Sequence, residues 1–182
     1  AEQGFALPGK LVVGSDSHTP SYGALGAFAT GIGRTEVASI WATDEIWLRV
    51  PETTRVEIDG RLPAGVYAKD VILKIIGEGG ADMADYQAVE FAGQAARKFS
   101  LASRFVLANM SAEMGAKNGY FEPAEETLAW LRSRAKADFE VVRSDRDASY
   151  KSVLKYDISG LVPQLACPHT VDNVKAVTEL EG

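Results

Sequence analysis

The chain has 182 residues, 46% of them hydrophobic and 24% charged, which suits one globular domain with a core that needs no disulfide. It carries 19 basic against 25 acidic residues for a net charge of −6, and its densest basic group is only Arg132, Arg134 and Lys136, so a nucleic-acid partner is excluded. The single cysteine, Cys167, fits a reducing compartment, and no apolar run approaches the ~20 residues of a membrane span, so a cytoplasmic protein with no membrane partner is expected.

Residues 10–13 form a short apolar run that stops at Gly14, the pattern of a buried parallel strand. Gly14, Gly23, Gly26, Gly31 and Gly33 follow among small residues, and Thr35-Glu36-Val37-Ala38 opens a helix. Strands are predicted at 47–50 and 54–58, parted by Pro51, with a turn at Asp59-Gly60. Helical spacing of Tyr67, Val71, Ile72, Ile75 and Ile76 predicts a helix over 67–76, ended by Gly77, Gly79 and Gly80.

A further strand is predicted at 86–91 and a mostly apolar helix at 100–114. Pro123, with Glu125 and Glu126 in a first turn, introduces another helix that ends near Lys136. Alternation from Ser152 to Ile158 predicts a strand with one more polar face, and 172–180 a weak helix. Strands alternating with helices make this one α/β domain over 1–182, with a largely parallel or mixed sheet. Both termini read as internal to something longer: the chain opens at Ala1 without Met and stops at Gly182 just after helix-like sequence.

The most unusual segment is Gly14-Ser15-Asp16-Ser17-His18-Thr19. It follows a buried strand, where α/β sheets place ligand sites. Its plain reading is an Asx or Ser turn satisfying its own backbone; its sharper reading is a reactive loop, because Asp16 and His18 together exceed what a turn needs. His18 can give or take a proton near neutral pH, with Asp16 or an outside carboxylate holding its tautomer. A hydrolase triad from Ser17 and His18 is disfavoured, because neighbours in one loop splay apart and no Gly-x-Ser-x-Gly elbow is present.

The later glycines lack both the dinucleotide fingerprint and a Gly-Lys-Ser/Thr phosphate loop, and close backbone packing explains them better. Asn109 and Glu113, four apart, share a helix face as an exposed stripe or a cleft lining. Cys167-Pro168-His169 cannot make a zinc site without partners, so a packed thiol and a loop histidine are expected.

The segment from Gly14 to Pro20, continued through Gly23-Ala24-Leu25-Gly26-Ala27-Phe28-Ala29-Thr30-Gly31-Ile32-Gly33, resembles the aconitase superfamily, in particular the large subunits of 3-isopropylmalate dehydratase and homoaconitase. Ala68-Lys69-Asp70-Val71-Ile72-Leu73, Glu90-Phe91-Ala92-Gly93 and the run from Ala108 to Ala116 agree, in the same order. The resemblance implies a layered α/β/α domain with a mixed, largely parallel sheet, of the family's iron–sulfur domain type.

It also implies a hydro-lyase that dehydrates and rehydrates a hydroxy di- or tricarboxylate on a 4Fe-4S cluster. By residue-wise carry-over, Asp16 and His18 resemble the catalytic acid/base and orienting pair, and Ser17, Asn109 and Glu113 substrate-binding positions. Glu113 would face the iron-bound hydroxyl or water. A small, swivelling subunit or domain is the implied partner.

The family's three cluster cysteines are missing, so this chain is expected to bind no metal and to be inactive alone, as a piece of a 3-isopropylmalate dehydratase large subunit. Homoaconitase or dimethylmalate dehydratase is the alternative within the class. A non-enzymatic binding module that keeps the fold is the alternative outside it.

Overall fold

The computed structural model describes residues 1–180. Its centre is a four-stranded parallel sheet of β3 (Thr53–Asp59), β4 (Ala88–Ala92), β5 (Asn118–Phe121) and β6 (Ser152–Asp157), in the order β5-β4-β3-β6. Side chains alternate across this sheet. Val56 registers with Phe91 and Leu154, Phe91 registers with Phe121, and those two rings stack at 4.9 Å. This face meets Val71, Ile72, Ile75 and Ile76 of α2 (Ala68–Gly79) and Leu107 of α4 (Leu101–Met110) in the main core. Arg55, Glu57, Glu90, Tyr120 and Lys155 point to the opposite, polar face. The α/β class and the parallel sheet are as the sequence implies.

Asp70 shows how the chain closes on itself. One carboxylate oxygen accepts from the Tyr67 N–H at 2.7 Å, capping α2, and the other accepts from the Gln164 N–H at 2.8 Å. The helix thereby holds β7 (Gln164–Ala166), which pairs antiparallel with β8 (Val174–Ala176). α2 runs on through Gly77 and stops at Gly80, against the earlier stop expected. A Cβ at Gly77 would stand 2.6 Å from the Val174 Cβ, so that glycine serves a close approach rather than a helix end.

Three other expectations change. Residues 47–50 are irregular, with Trp47 and Val50 exposed, because no strand lies beside them to pair with. The helix expected over 172–180 is β8 followed by a 3-10 turn, Val177–Glu179, since pairing with β7 outweighs a weak helical pattern. The 100–114 helix divides at Met110, and a 3-10 turn, Ser111–Met114, carries Glu113.

The sequence pattern also left four short elements unseen, β2 (Phe28–Gly31), α3 (Gln94–Lys98), β5 and β7, together with a 3-10 helix at Thr19–Leu25. α1 (Arg34–Thr43) and α5 (Glu125–Arg132) form where helical starts were expected, although α1 buries none of its residues.

Arg104 locks the junction of α3 and α4 to the end of β5. Fully buried, it donates to the carbonyls of Phe99, Glu122 and Arg97 at 3.1, 2.8 and 3.0 Å and lies over the Phe121 ring. Among the described residues no helix is long and apolar enough to cross a membrane.

Candidate active site

A second, two-stranded parallel sheet pairs β1 (Leu11–Gly14) with β2 and launches the loop that carries Asp16, Ser17 and His18. Asn118 fastens this sheet to the main one. Its buried amide oxygen accepts from the Ala29 N–H at 3.1 Å, and its amide nitrogen faces the Ala27 carbonyl at 3.4 Å. The loop then turns into a 3-10 helix, Thr19–Leu25, whose Gly23 presses on the Gly119 backbone so closely that no Cβ fits. Gly31 serves the loop itself, since a Cβ there would stand 2.9 Å from the Asp16 carbonyl oxygen.

Within the loop Asp16 makes the Asx turn. Its Oδ1 accepts from the His18 N–H at 2.6 Å, and its carbonyl accepts from the Thr19 hydroxyl at 2.7 Å. The Asp16 carboxylate therefore holds the His18 backbone and does not hold the ring. The ring is held by the outside carboxylate: His18 Nε2 lies 3.1 Å from Glu113 Oε1, across 95 residues of sequence, and Ser17 Oγ lies 3.0 Å from Nδ1. An ionised carboxylate only accepts, so the neutral imidazole carries its hydrogen on Nε2 and takes the Ser17 hydroxyl hydrogen on Nδ1. Both His18 and Glu113 side chains keep 37% of their surface, which leaves the pair reachable from solvent.

Asn109 joins at one remove. Its amide donates to Ser21 Oγ at 2.9 Å, and Ser21 Oγ donates to the His18 carbonyl at 2.6 Å. The structure thus assembles Asp16, Ser17, His18 and Glu113 directly and Asn109 through Ser21. Ser21 and Asn118 carried no sequence signal, being a serine in a small-residue run and an asparagine beside a glycine.

Asp16 stays off the ring, so the loop's three neighbours do not themselves converge, and the Ser17-His18-Glu113 line draws its carboxylate from another element. Beside Ser17 opens a cleft of ≈ 390 Å³ lined in part by Ser15, Thr30, Gly31 and Lys117. A larger cavity, ≈ 760 Å³, lies over the polar sheet face. There the buried Glu90 is fully engaged by Arg55, Ser144 and Tyr150 at 2.8, 2.7 and 3.1 Å, which marks a structural network.

The aconitase family (aconitate hydratase) profile matches residues 1–181. The chain belongs to the aconitase family. It is 55% identical to a probable 3-isopropylmalate dehydratase large subunit of Methanothermobacter thermautotrophicus, over the whole chain and 43% of that relative. It is 54% identical to a probable methanogen homoaconitase large subunit of Methanosarcina mazei, again over the whole chain and 46% of the relative. The 3-isopropylmalate dehydratase large subunit 1 of Methanopyrus kandleri is 52% identical, with 43% of its length covered. The chain therefore spans less than half the length of these curated relatives.

The family implies a 4Fe-4S cluster in the intact enzyme, iron–sulfur clusters are held by cysteine thiolates, and this chain has one cysteine. Its lone cysteine, Cys167, lies half-buried just past β7, where its backbone N–H donates to the Asn173 carbonyl at 2.7 Å. Among the described residues no three His, Cys, Asp or Glu side chains converge as metal ligands.

Proposed function

We propose that this chain forms one wall of the cleft in which an aconitase-family hydro-lyase removes water from a hydroxy di- or tricarboxylate and adds it back. The reading is narrowed to the large subunit of 3-isopropylmalate dehydratase, a leucine-biosynthesis enzyme. The observation that carries it is the His18–Glu113 pair at 3.1 Å in the loop after β1 of an aconitase-family domain. Dehydration needs one group to take a proton from carbon and another to give a proton to the departing hydroxyl. His18 and Glu113 share a proton at Nε2 and can carry it to or from that hydroxyl. Ser17 hydrogen-bonds the ligand from Nδ1's side, Asp16 fixes the loop, and Asn109 steadies it through Ser21.

Cysteines outside this chain would hold the cluster, and this chain would hold none. A small, swivelling subunit or domain completes the cleft, and the cytoplasm suits the single unpaired thiol. Homoaconitase stands second, on the strength of the 54% identical relative that bears that name.

The test is loss of water from 3-isopropylmalate by the native protein that carries this chain, followed by ultraviolet absorbance of the new carbon–carbon double bond. His18→Gln and Glu113→Gln are expected to lower kcat by about a hundredfold or more. Full turnover in both variants overturns the assignment. The 182-residue chain alone, after iron–sulfur reconstitution, is expected to turn nothing over.

A further inference from the structure

Immediately after Glu113 the chain is stitched to the segment before β4. The Ala84 N–H donates to the Met114 carbonyl at 2.9 Å, the Tyr86 N–H to the Gly115 carbonyl at 3.2 Å, and the Lys117 N–H to the Gln87 carbonyl at 2.7 Å. Within that seam Tyr86 sits at φ +55°, a left-handed conformation that a bulky residue seldom adopts. The ring so placed is approached by two cations, Lys117 Nζ at 4.8 Å and the Arg49 guanidinium carbon at 5.0 Å from its centroid. Among the described residues neither cation lies in ion-pair distance of a carboxylate. A cation held on a ring and left without a carboxylate draws an anion.

Lys117 also lines the cleft beside Ser17. The polar residues lining that cleft are Ser15, Ser17, Thr30 and Lys117; none is a carboxylate, and Lys117 is the one cation among them. We infer that Lys117 binds a carboxylate of the ligand in this cleft, its ammonium set against the Tyr86 ring and outside ion-pair distance of every described carboxylate. A carboxylate satisfies an ammonium and neighbouring hydroxyls at once, whereas a neutral or cationic ligand leaves that charge uncompensated. The inference rests on reading the site as a hydroxy-carboxylate cleft.

The test is an NMR titration, with citrate at constant ionic strength, of the native protein that carries this chain, reading Ser17, His18 and Lys117. Saturable shifts at all three are expected. Lys117→Gln should weaken citrate at least about tenfold, and Lys117→Arg should stay within about threefold of wild type. Lys98→Gln, at the exposed end of α3, should change nothing. If Lys117→Gln binds citrate as wild type does, with His18 still perturbed, the inference falls while the cleft reading stands. Equal binding of inorganic phosphate, with the same sensitivity to Lys117→Gln, overturns the carboxylate assignment. Absence of saturable shifts overturns the inference and leaves the dehydratase reading to its own assay.

Discussion

Asn109 and Ser21 lie 88 residues apart in the chain, yet the Asn109 amide donates to Ser21 Oγ at 2.9 Å, and that hydroxyl passes the connection to the His18 carbonyl at 2.6 Å. One small side chain thus couples the end of α4 to the backbone of His18. Ser21→Ala leaves the Asn109 amide without this partner, while the His18 carbonyl keeps the Ser21 backbone N–H at 3.0 Å, and is expected to lower stability by about 1 kcal/mol. It should also broaden the His18 ring resonances, while Ser21→Thr keeps both bonds. Unbroadened His18 signals in Ser21→Ala would show that the ring is fixed without this bridge.

The His18 tautomer is a second test. With Glu113 accepting from Nε2, the neutral ring carries its proton there, and 15N chemical shifts should report a bare Nδ1. Glu113→Gln offers a donor as well as an acceptor, so a mixture of tautomers is expected. A wild-type ring protonated mainly on Nδ1 would contradict the geometry.

Arg104 should be the most costly cation to lose. Burial holds its pKa below the ordinary arginine value, and three backbone carbonyls depend on its donors. Arg104→Met removes the charge and orphans those carbonyls, for an expected loss of about 3 kcal/mol, or roughly 9 °C in Tm for a domain of this size. Differential scanning calorimetry reads this directly, and a Tm change below about 3 °C would mean that water replaces the guanidinium.

Tyr120 gives a pH dependence with a definite sign. Burial, followed by the charges of Glu122 and Glu90, raises its phenol above the usual range, and its hydroxyl donates to the Val142 carbonyl. The folded chain therefore binds that proton more tightly than the unfolded chain. Its contribution is complete below about pH 10 and is lost as pH rises past it. Thermal unfolding between pH 9 and 11 should fall more steeply for wild type than for Tyr120→Phe. Parallel curves would show that the phenol does not control this region.

The strands at 54–58 and 152–158 and the helix from Tyr67 were legible because each buries one face, and periodicity records burial directly. The Asp16-Ser17-His18 loop was legible for another reason: so many polar groups just past a buried strand exceed what a turn requires. Elements of four or five residues, β2, α3 and β5, are too short to show a period. Residues 172–180 looked helical because β7, the strand that recruits β8, cannot be inferred from that segment alone.

Residue types by themselves put Asp16, Ser17 and His18 together and left the turn and the reactive site as equal readings. Tertiary structure decided between the carboxylates: Asp16 went to the backbone and Glu113 to the ring, since only the fold brings a side chain 95 residues away to 3.1 Å from Nε2. It also gave Lys117 a place in the cleft and Ser21 its bridge. Local sequence fixes which groups exist and how adjacent backbone turns, whereas distances between groups from separate elements follow from how sheets and helices pack.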